Sequence, residues 1–188
     1  SGKSLVLIGS AGSGKTTTQR VILQELLRMN KLPKLPKTVG SKYLSEGMPA
    51  VLVTAFTKVA TRNIREAAPL EFKRNCINIH KAVEFAPTKV EIQGLNVDGE
   101  LSVRESMRFT PNKNRFDILD GIKLCIVEEA GSLDVELFMA LADALPKTTA
   151  YIFLGDLNQL PPVYGAAILG FAINKLPIVE LTHIYRQN

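Results

Sequence analysis

The sequence is short of everything that would build a zinc site, a membrane span or a secretion signal. Two cysteines and two histidines occur in 188 residues. Cys76 and Cys125 lie far apart, and no Cys-x-x-Cys or Cys/His ligand spacing exists, so no structural zinc is expected. Cys125 falls in an apolar run and reads as a buried core thiol. No stretch approaches the roughly 18 apolar residues that cross a bilayer. The opening apolar run at 5–8 is shorter than the roughly 7–15-residue core of a signal peptide. The expectation is an intracellular, cytoplasmic protein with no membrane partner. Internal repeats and low-complexity tracts are also missing.

What is present is the composition of a soluble globular protein: 46% of residues are hydrophobic and 22% are charged. The length suits one domain with a small insertion. A net charge of +5 permits a polyanionic partner without requiring one.

Short apolar runs at 5–8, 50–53, 124–127, 151–154 and 178–181 read as buried strands, and 76–78 as a further short one. Helical patterns fall at 16–30, 57–68, 134–145 and 166–174. Pro33 and Pro36 end the first helix and open a loop to about Pro49. Strands alternating with helices predict an α/β fold: a mostly parallel sheet with helices on both faces. Residues 84–116 break the pattern. Asp98-Gly99 separates Val90 and Ile92 from Leu101 and Val103, which is a hairpin signal. The expected organisation is a core domain of 1–83 and 117–188 with a β-hairpin inserted at 84–116.

Gly9-Ser10-Ala11-Gly12-Ser13-Gly14-Lys15-Thr16 matches G-x-x-x-x-G-K-[ST] at every fixed position, after a strand and before a helix. This is the P-loop, or Walker A, pattern. Glycines let the chain fold tightly, so that backbone N–H groups converge on phosphate oxygens at a helix N-terminus. Gly12, Ser13, Gly14, Lys15, Thr16 and Thr17 are therefore the expected ATP-binding residues. Lys15 reaches the β- and γ-phosphates, and the Thr16 hydroxyl is a ligand to Mg2+. Ser1-Gly2-Lys3-Ser4 also contains Gly-Lys-Ser, but it lacks the upstream glycine and the preceding strand.

Such a loop needs a carboxylate from a neighbouring strand end. Leu124-Cys125-Ile126-Val127-Glu128-Glu129 supplies two, at the C-terminal end where open α/β sheets bind ligands. Glu128 is expected on the magnesium side, through water, and Glu129 as general base on the attacking water. An acid-rich helix start is the rival reading.

Further motifs carry a family resemblance. Gly155-Asp156-Leu157-Asn158-Gln159-Leu160-Pro161-Pro162-Val163 resembles the G-D-x-x-Q-L-P-P-V motif of superfamily 1 helicases. Leu181-Thr182-His183-Ile184-Tyr185-Arg186-Gln187 is similar to the L-T-x-I-[FY]-R-Q motif of the RecD-like branch. Thr54 to Ala60 resembles that branch's T-A-P-T-x-x-A segment, and Asn78-Ile79-His80 its T-I-H segment. The motifs run in family order from residue 5 to 187. The resemblance implies the first RecA-like motor domain of a P-loop ATPase that moves 5′ to 3′ on single-stranded DNA, with a second motor domain as its partner. It departs from the family at Glu128, where Asp is usual, at Phe56, where Pro is usual, and at Asn78, where Thr is usual.

The resemblance also assigns roles. Gln159 would contact the γ-phosphate or the water, and Arg186 would offer a charge-assisted fork to the γ-phosphate. A polar loop residue and a surface ion pair are their rivals. Phe56, Thr57, Lys58 and His80 occupy the family's nucleic-acid positions. Phe56 would stack on a base, with Thr57 and Lys58 on phosphates; a core phenylalanine and a structural histidine are the rivals for Phe56 and His80. The inserted hairpin carries Lys89, Arg104, Arg108, Lys113 and Arg115 and would guide the strand, or else be a solvated basic loop. No second motor domain and no upstream adenine-reading glutamine motif occur in the sequence, so a fragment of a longer protein is expected, with little unwinding of its own. Two other functions fit the same residues: a viral-type RNA helicase, and a module in which ATP switches nucleic-acid affinity without motor action.

Overall fold

A computed structural model describes residues 3–95, 101–111, 118–158 and 165–182. Its centre is a five-stranded parallel sheet of β1 (Leu5–Gly9), β2 (Val51–Ala55), β5 (Leu124–Glu128), β6 (Ala150–Gly155) and β7 (Ile178–Leu181), in the order β2-β5-β6-β1-β7. Five helices accompany it: α1 (Lys15–Arg28), α2 (Lys58–Ala67), α3 (Ile79–Ala82), α4 (Val135–Ala144) and α5 (Ile168–Ile173).

The two faces follow from the period-2 alternation of strand side chains. On β2 and β5, Val51, Val53 and Ile126 turn to one face while Leu52, Cys125 and Val127 turn to the other. The first face is covered by Leu23 of α1, Ile64 of α2 and Phe72 of a 3-10 turn at Leu70–Asn75. The second is covered by Ile79 of α3, Leu137 and Leu141 of α4, and Leu169 and Ala172 of α5. Continuous apolar strands are what a sheet buried on both sides requires.

The strands expected at 5–8, 50–53, 124–127, 151–154 and 178–181 and the four expected helices are present, with ends shifted by a residue or two. One expectation needs correction. Residues 76–78 do not form a strand; they make a single parallel bridge, Cys76 with Val53. Two side chains cut the segment short. The Asn75 amide donates to the carbonyls of Pro49 and Val51, and Asn78 caps α3. Only two residues are left to run extended between them. The short α3 was not anticipated, for the same reason.

The insertion folds as a separate two-stranded antiparallel ribbon of β3 (Ala86–Leu95) and β4 (Leu101–Thr110). Leu101, Val103, Met107 and Phe109 alternate along β4 and stay largely exposed. Among the described residues no helix is long and apolar enough to cross a membrane.

Candidate active site and adjoining nucleic-acid cleft

The sheet order sends the chain from β1, an interior strand, through α1 to β2 at the far edge, and residues that follow the C-terminal ends of β1 and β5 line one crevice. Residues 10–14 form the loop there. Gly12 and Gly14 both have positive φ, 80° and 88°, a region that L side chains rarely enter. Gly14 is also the N-cap of α1 and takes no side-chain cap, so the first amides of the helix face the crevice. Lys15 bends back over the loop, its Nζ donating to the carbonyls of Gly9 and Ser10, the latter at 2.9 Å.

The resulting cavity of about 920 Å3 is lined by residues 11–18, with Glu129 opposite and Glu180, Leu181 and Thr182 at its rim. The six loop and helix residues expected to bind ATP all lie on it: Gly12, Ser13, Gly14, Lys15, Thr16 and Thr17. Glu180 was not foreseen. It reaches the rim because β7 pairs with β1, Glu180 opposite Ile8, a neighbour relation that no local pattern encodes.

Glu128 ends β5 and is buried. Its Oε1 is shielded from solvent and has no hydrogen-bond partner among the described residues. Burial, reinforced by the Glu129 charge and opposed by Lys15 and by a backbone hydrogen bond from Glu129, raises its pKa to about 7. An unpartnered buried carboxyl oxygen beside a phosphate loop fits a cation, since a cation would meet the desolvated charge. No cluster of three or more His, Cys, Asp or Glu ligands exists among the described residues.

Glu129 adopts left-handed backbone angles, φ 53° and ψ 39°. For a residue with a Cβ that conformation costs on the order of 1–2 kcal/mol. The turn it makes opens a 3-10 turn at Ala130–Ser132. The Glu129 carboxylate lines the cavity, and its Oε2 accepts a hydrogen bond from Thr57 Oγ1 at 3.3 Å.

Thr57 begins α2. Its hydroxyl accepts the Ala60 N–H at 3.1 Å as the N-cap, while donating to Glu129. The expectation that Thr57 holds a strand phosphate therefore meets a hydroxyl already engaged on both sides.

A second cavity, of about 770 Å3, is lined by both sequence neighbours of Thr57. It gathers Phe56, Lys58 and His80, three of the four expected nucleic-acid residues. It also gathers Tyr43, Phe85 and Phe109, with Lys42, Arg65 and Lys81 among its cations. Phe56 packs partly against the core and also lines the cavity. His80 lies between Phe56 and Phe85, at ring-centroid distances of 5.7 and 4.9 Å. Burial lowers its pKa against the opposing charge of Asp134, which favours neutral imidazole.

Asn78 holds this wall together. Its amide donates to the carbonyls of Ala55 and Phe56, at 3.2 and 2.8 Å, and its Oδ1 accepts the His80 N–H. Asparagine two residues before a histidine reads locally as a helix cap; its grip on the β2 exit needed the tertiary structure. Gln159 and Arg186 lie outside the described residues, as do Lys113 and Arg115 of the insertion.

Comparison with known proteins gives a consistent picture. The family model described as "AAA domain" matches residues 1–165. The RecBCD enzyme subunit RecD of Buchnera aphidicola is 27% identical over 169 residues, covering 89% of this chain and 24% of that protein. The ATP-dependent RecD2 DNA helicase of Deinococcus radiodurans is 25% identical over 183 residues, 97% of this chain and 19% of the relative. The chain thus spans about a quarter or less of these relatives. Among solved structures, the Pif1 helicase of Candida albicans superposes with a TM-score of 0.61 at 23% identity, covering 99% of this chain and 37% of that one. Bacteroides Pif1 bound to ssDNA gives 0.54 at 18%, with 99% and 40% coverage. At these identities the structures show the fold.

Proposed function

The chain belongs to the AAA domain family and is a RecA-like motor domain of the superfamily 1 helicase type, and from that premise we propose that it hydrolyses ATP to drive movement along single-stranded DNA. The observation that carries the reading is a phosphate cradle lined by Glu129, together with an aromatic–basic cavity lined by Phe56 and Lys58, the neighbours of the Thr57 that hydrogen-bonds Glu129.

In this reading the amides of 12–17 cradle the phosphates, and Lys15 leaves the Gly9 and Ser10 carbonyls for the β- and γ-phosphates. Thr16 and Glu128 would hold magnesium, Glu128 through water, with the geometry shifted for a side chain one methylene longer than Asp. When bound, the ion neutralises charge that develops on the phosphates. Glu129 accepts the proton of the attacking water. Gln159 and Arg186 complete the γ-phosphate contacts, a part of the reading that rests on the motif resemblance. Phe56 offers a stacking face, and Lys58 and neighbouring cations take phosphates. His80, neutral and edge-on to Phe85, shapes that face. The ribbon of β3 and β4 adjoins the same cavity through Ala86 and Phe109, which supports its guiding the strand. A second motor domain closes over the nucleotide. The protein would work inside the cell, where ATP and its strand are.

The test is ATP hydrolysis with and without single-stranded DNA, beside Glu129→Gln, in the full-length parent protein. Stimulation by DNA that the variant abolishes supports the motor reading. Hydrolysis indifferent to DNA, or untouched by the variant, would put the ATP-switched binding module in its place. Stimulation by RNA in preference to DNA would select the RNA helicase.

A further inference from the structure

We propose that Tyr43 is a further strand-contact residue of the second cavity, a base platform that the buried Glu84 carboxylate holds in place. The proposal rests on the strand-binding reading above and deepens it.

Tyr43 belongs to none of the segments that resemble helicase motifs. It lies in the stretch between α1 and β2, and that stretch is pinned at several points. Leu35, Leu44 and Met48 are buried in the core. Thr38 Oγ1 donates to Asp120 Oδ2, 82 positions away in the chain. The Ser41 hydroxyl accepts the N–H groups of Tyr43 and Leu44, at 3.0 and 3.2 Å. Between these pins the Tyr43 ring is not packed away. The residue keeps 39% of its surface exposed and lines the cavity together with Phe56 and Phe85. A strand that stacks on a ring so fixed has little left to order.

Glu84 supplies the pin nearest the ring. Its side chain is 4% exposed; Oε1 accepts the Lys42 N–H at 3.0 Å, and Lys42 Nζ stands 3.9 Å from Oε2. Its backbone is left-handed, φ 48°, a region that glycine or asparagine enters more easily. A carboxylate is also adverse in a cavity that receives phosphates at Lys42, Lys58, Arg65 and Lys81. Strain and adverse charge at one residue have a common explanation if the carboxylate serves the loop, fixing the backbone one residue before Tyr43.

The chemistry of the ring fits a base. Lys81 Nζ stands 5.7 Å from the centroid of the Tyr43 ring. A cation on an exposed ring is held weakly and a stacked base more strongly, so the base displaces the ammonium. Lys81 lines the same cavity and is then available to a phosphate of the strand. Tyr43 thus adds a second aromatic face to the one that Phe56 offers.

The test uses the full-length parent protein and a labelled single-stranded DNA homopolymer. Strand binding is read by anisotropy, ATP affinity with a fluorescent analogue, and folding by thermal melts. Tyr43→Ala should weaken strand binding about tenfold, within the range of one stacked base, at unchanged ATP affinity and melting temperature. Tyr43→Phe should bind as the parent does. Glu84→Gln and Glu84→Ala remove the same charge, and only glutamine keeps an acceptor for the Lys42 N–H. Loss of a negative charge by itself favours a polyanion, so glutamine should bind at least as tightly as the parent and alanine more weakly. Tyr43→Ala combined with Glu84→Ala should bind no more weakly than Tyr43→Ala alone, since Glu84 acts through the ring. Should Glu84→Ala fail to fold, the tyrosine variants and Glu84→Gln decide. Equal tightening in both Glu84 variants would overturn the role given to Glu84. Parent-like binding by Tyr43→Ala, with Phe56→Ala weakened, would overturn the proposal alone. Parent-like binding by both would overturn the cavity as the seat of the strand, and the proposal with it.

Discussion

Gly9 and Ser13 are packed so closely that a Cβ built on Gly9 would stand 2.3 Å from Ser13 Oγ. The loop folds back on its own first residue, and that residue must be glycine. Gly9→Ala forces Ser13 outward or displaces β1. Overpacking of this kind typically costs about 1–3 kcal/mol. The expected outcome is a lower melting temperature and nucleotide affinity reduced at least tenfold, read by thermal melts and titration of a fluorescent ATP analogue. An unaltered affinity would show that the loop tolerates repacking.

Glu128 gives the protein a pH signature. Its folded pKa is raised, to about 7, above that of a free carboxyl. The protonated form is favoured in the fold, so the contribution of this group to stability is full below the free carboxyl range near 4.5. It is lost as pH rises through about 7. A shift of this size corresponds to about 3 kcal/mol. Denaturant unfolding of the nucleotide-free chain between pH 4.5 and 8 should show wild type losing ground to Glu128→Gln as pH rises. Magnesium with nucleotide should return stability to wild type and not to the variant. Parallel curves would mean that Glu128 is better solvated than its burial indicates.

Phe56 exposes part of its ring to the second cavity while the rest packs on the core. Phe56→Ala should weaken single-stranded DNA binding by about 1–3 kcal/mol, the usual worth of one stacked base, at unchanged ATP affinity. Fluorescence anisotropy with a labelled homopolymer measures it. Equal losses of both affinities would make Phe56 a core residue first.

Asn78 makes two bonds to β2 carbonyls and caps α3. Asn78→Ala leaves both carbonyls without those donors, each lost bond typically costing about 0.5–1.5 kcal/mol. Loss of the cap adds about 1 kcal/mol. The family's threonine at this position, Asn78→Thr, should keep the cap and lose the amide, giving an intermediate stability. Chemical unfolding of the three proteins in order tests this; a threonine variant as stable as wild type would mean that the amide contributes nothing.

Much of this protein was legible from sequence because its signals are local. The phosphate loop is one uninterrupted segment whose glycines must bend the chain at fixed positions, and its flanking strand and helix announce themselves by period. The acids at 128 and 129 follow an apolar run, so the strand end and its carboxylates are read together. The hairpin was visible from alternation on either side of Asp-Gly. Other features were settled only by packing. Cys76 to Asn78 has strand composition, yet the side chains of Asn75 and Asn78 claim the neighbouring backbone first. Glu180 reaches the nucleotide cavity because β7 lies beside β1, a pairing between residues far apart in the chain. The second cavity draws Tyr43, Phe85 and Phe109 from three separate segments, none with a motif of its own. Thr57 shows the division most clearly. Sequence put it between a phenylalanine and a lysine expected to meet the strand, while its bond to Glu129 spans 72 positions of chain and exists only because β2 and β5 are neighbours in the sheet. Local patterns fix what each segment is able to become; which segments meet is decided by the burial of both sheet faces at once.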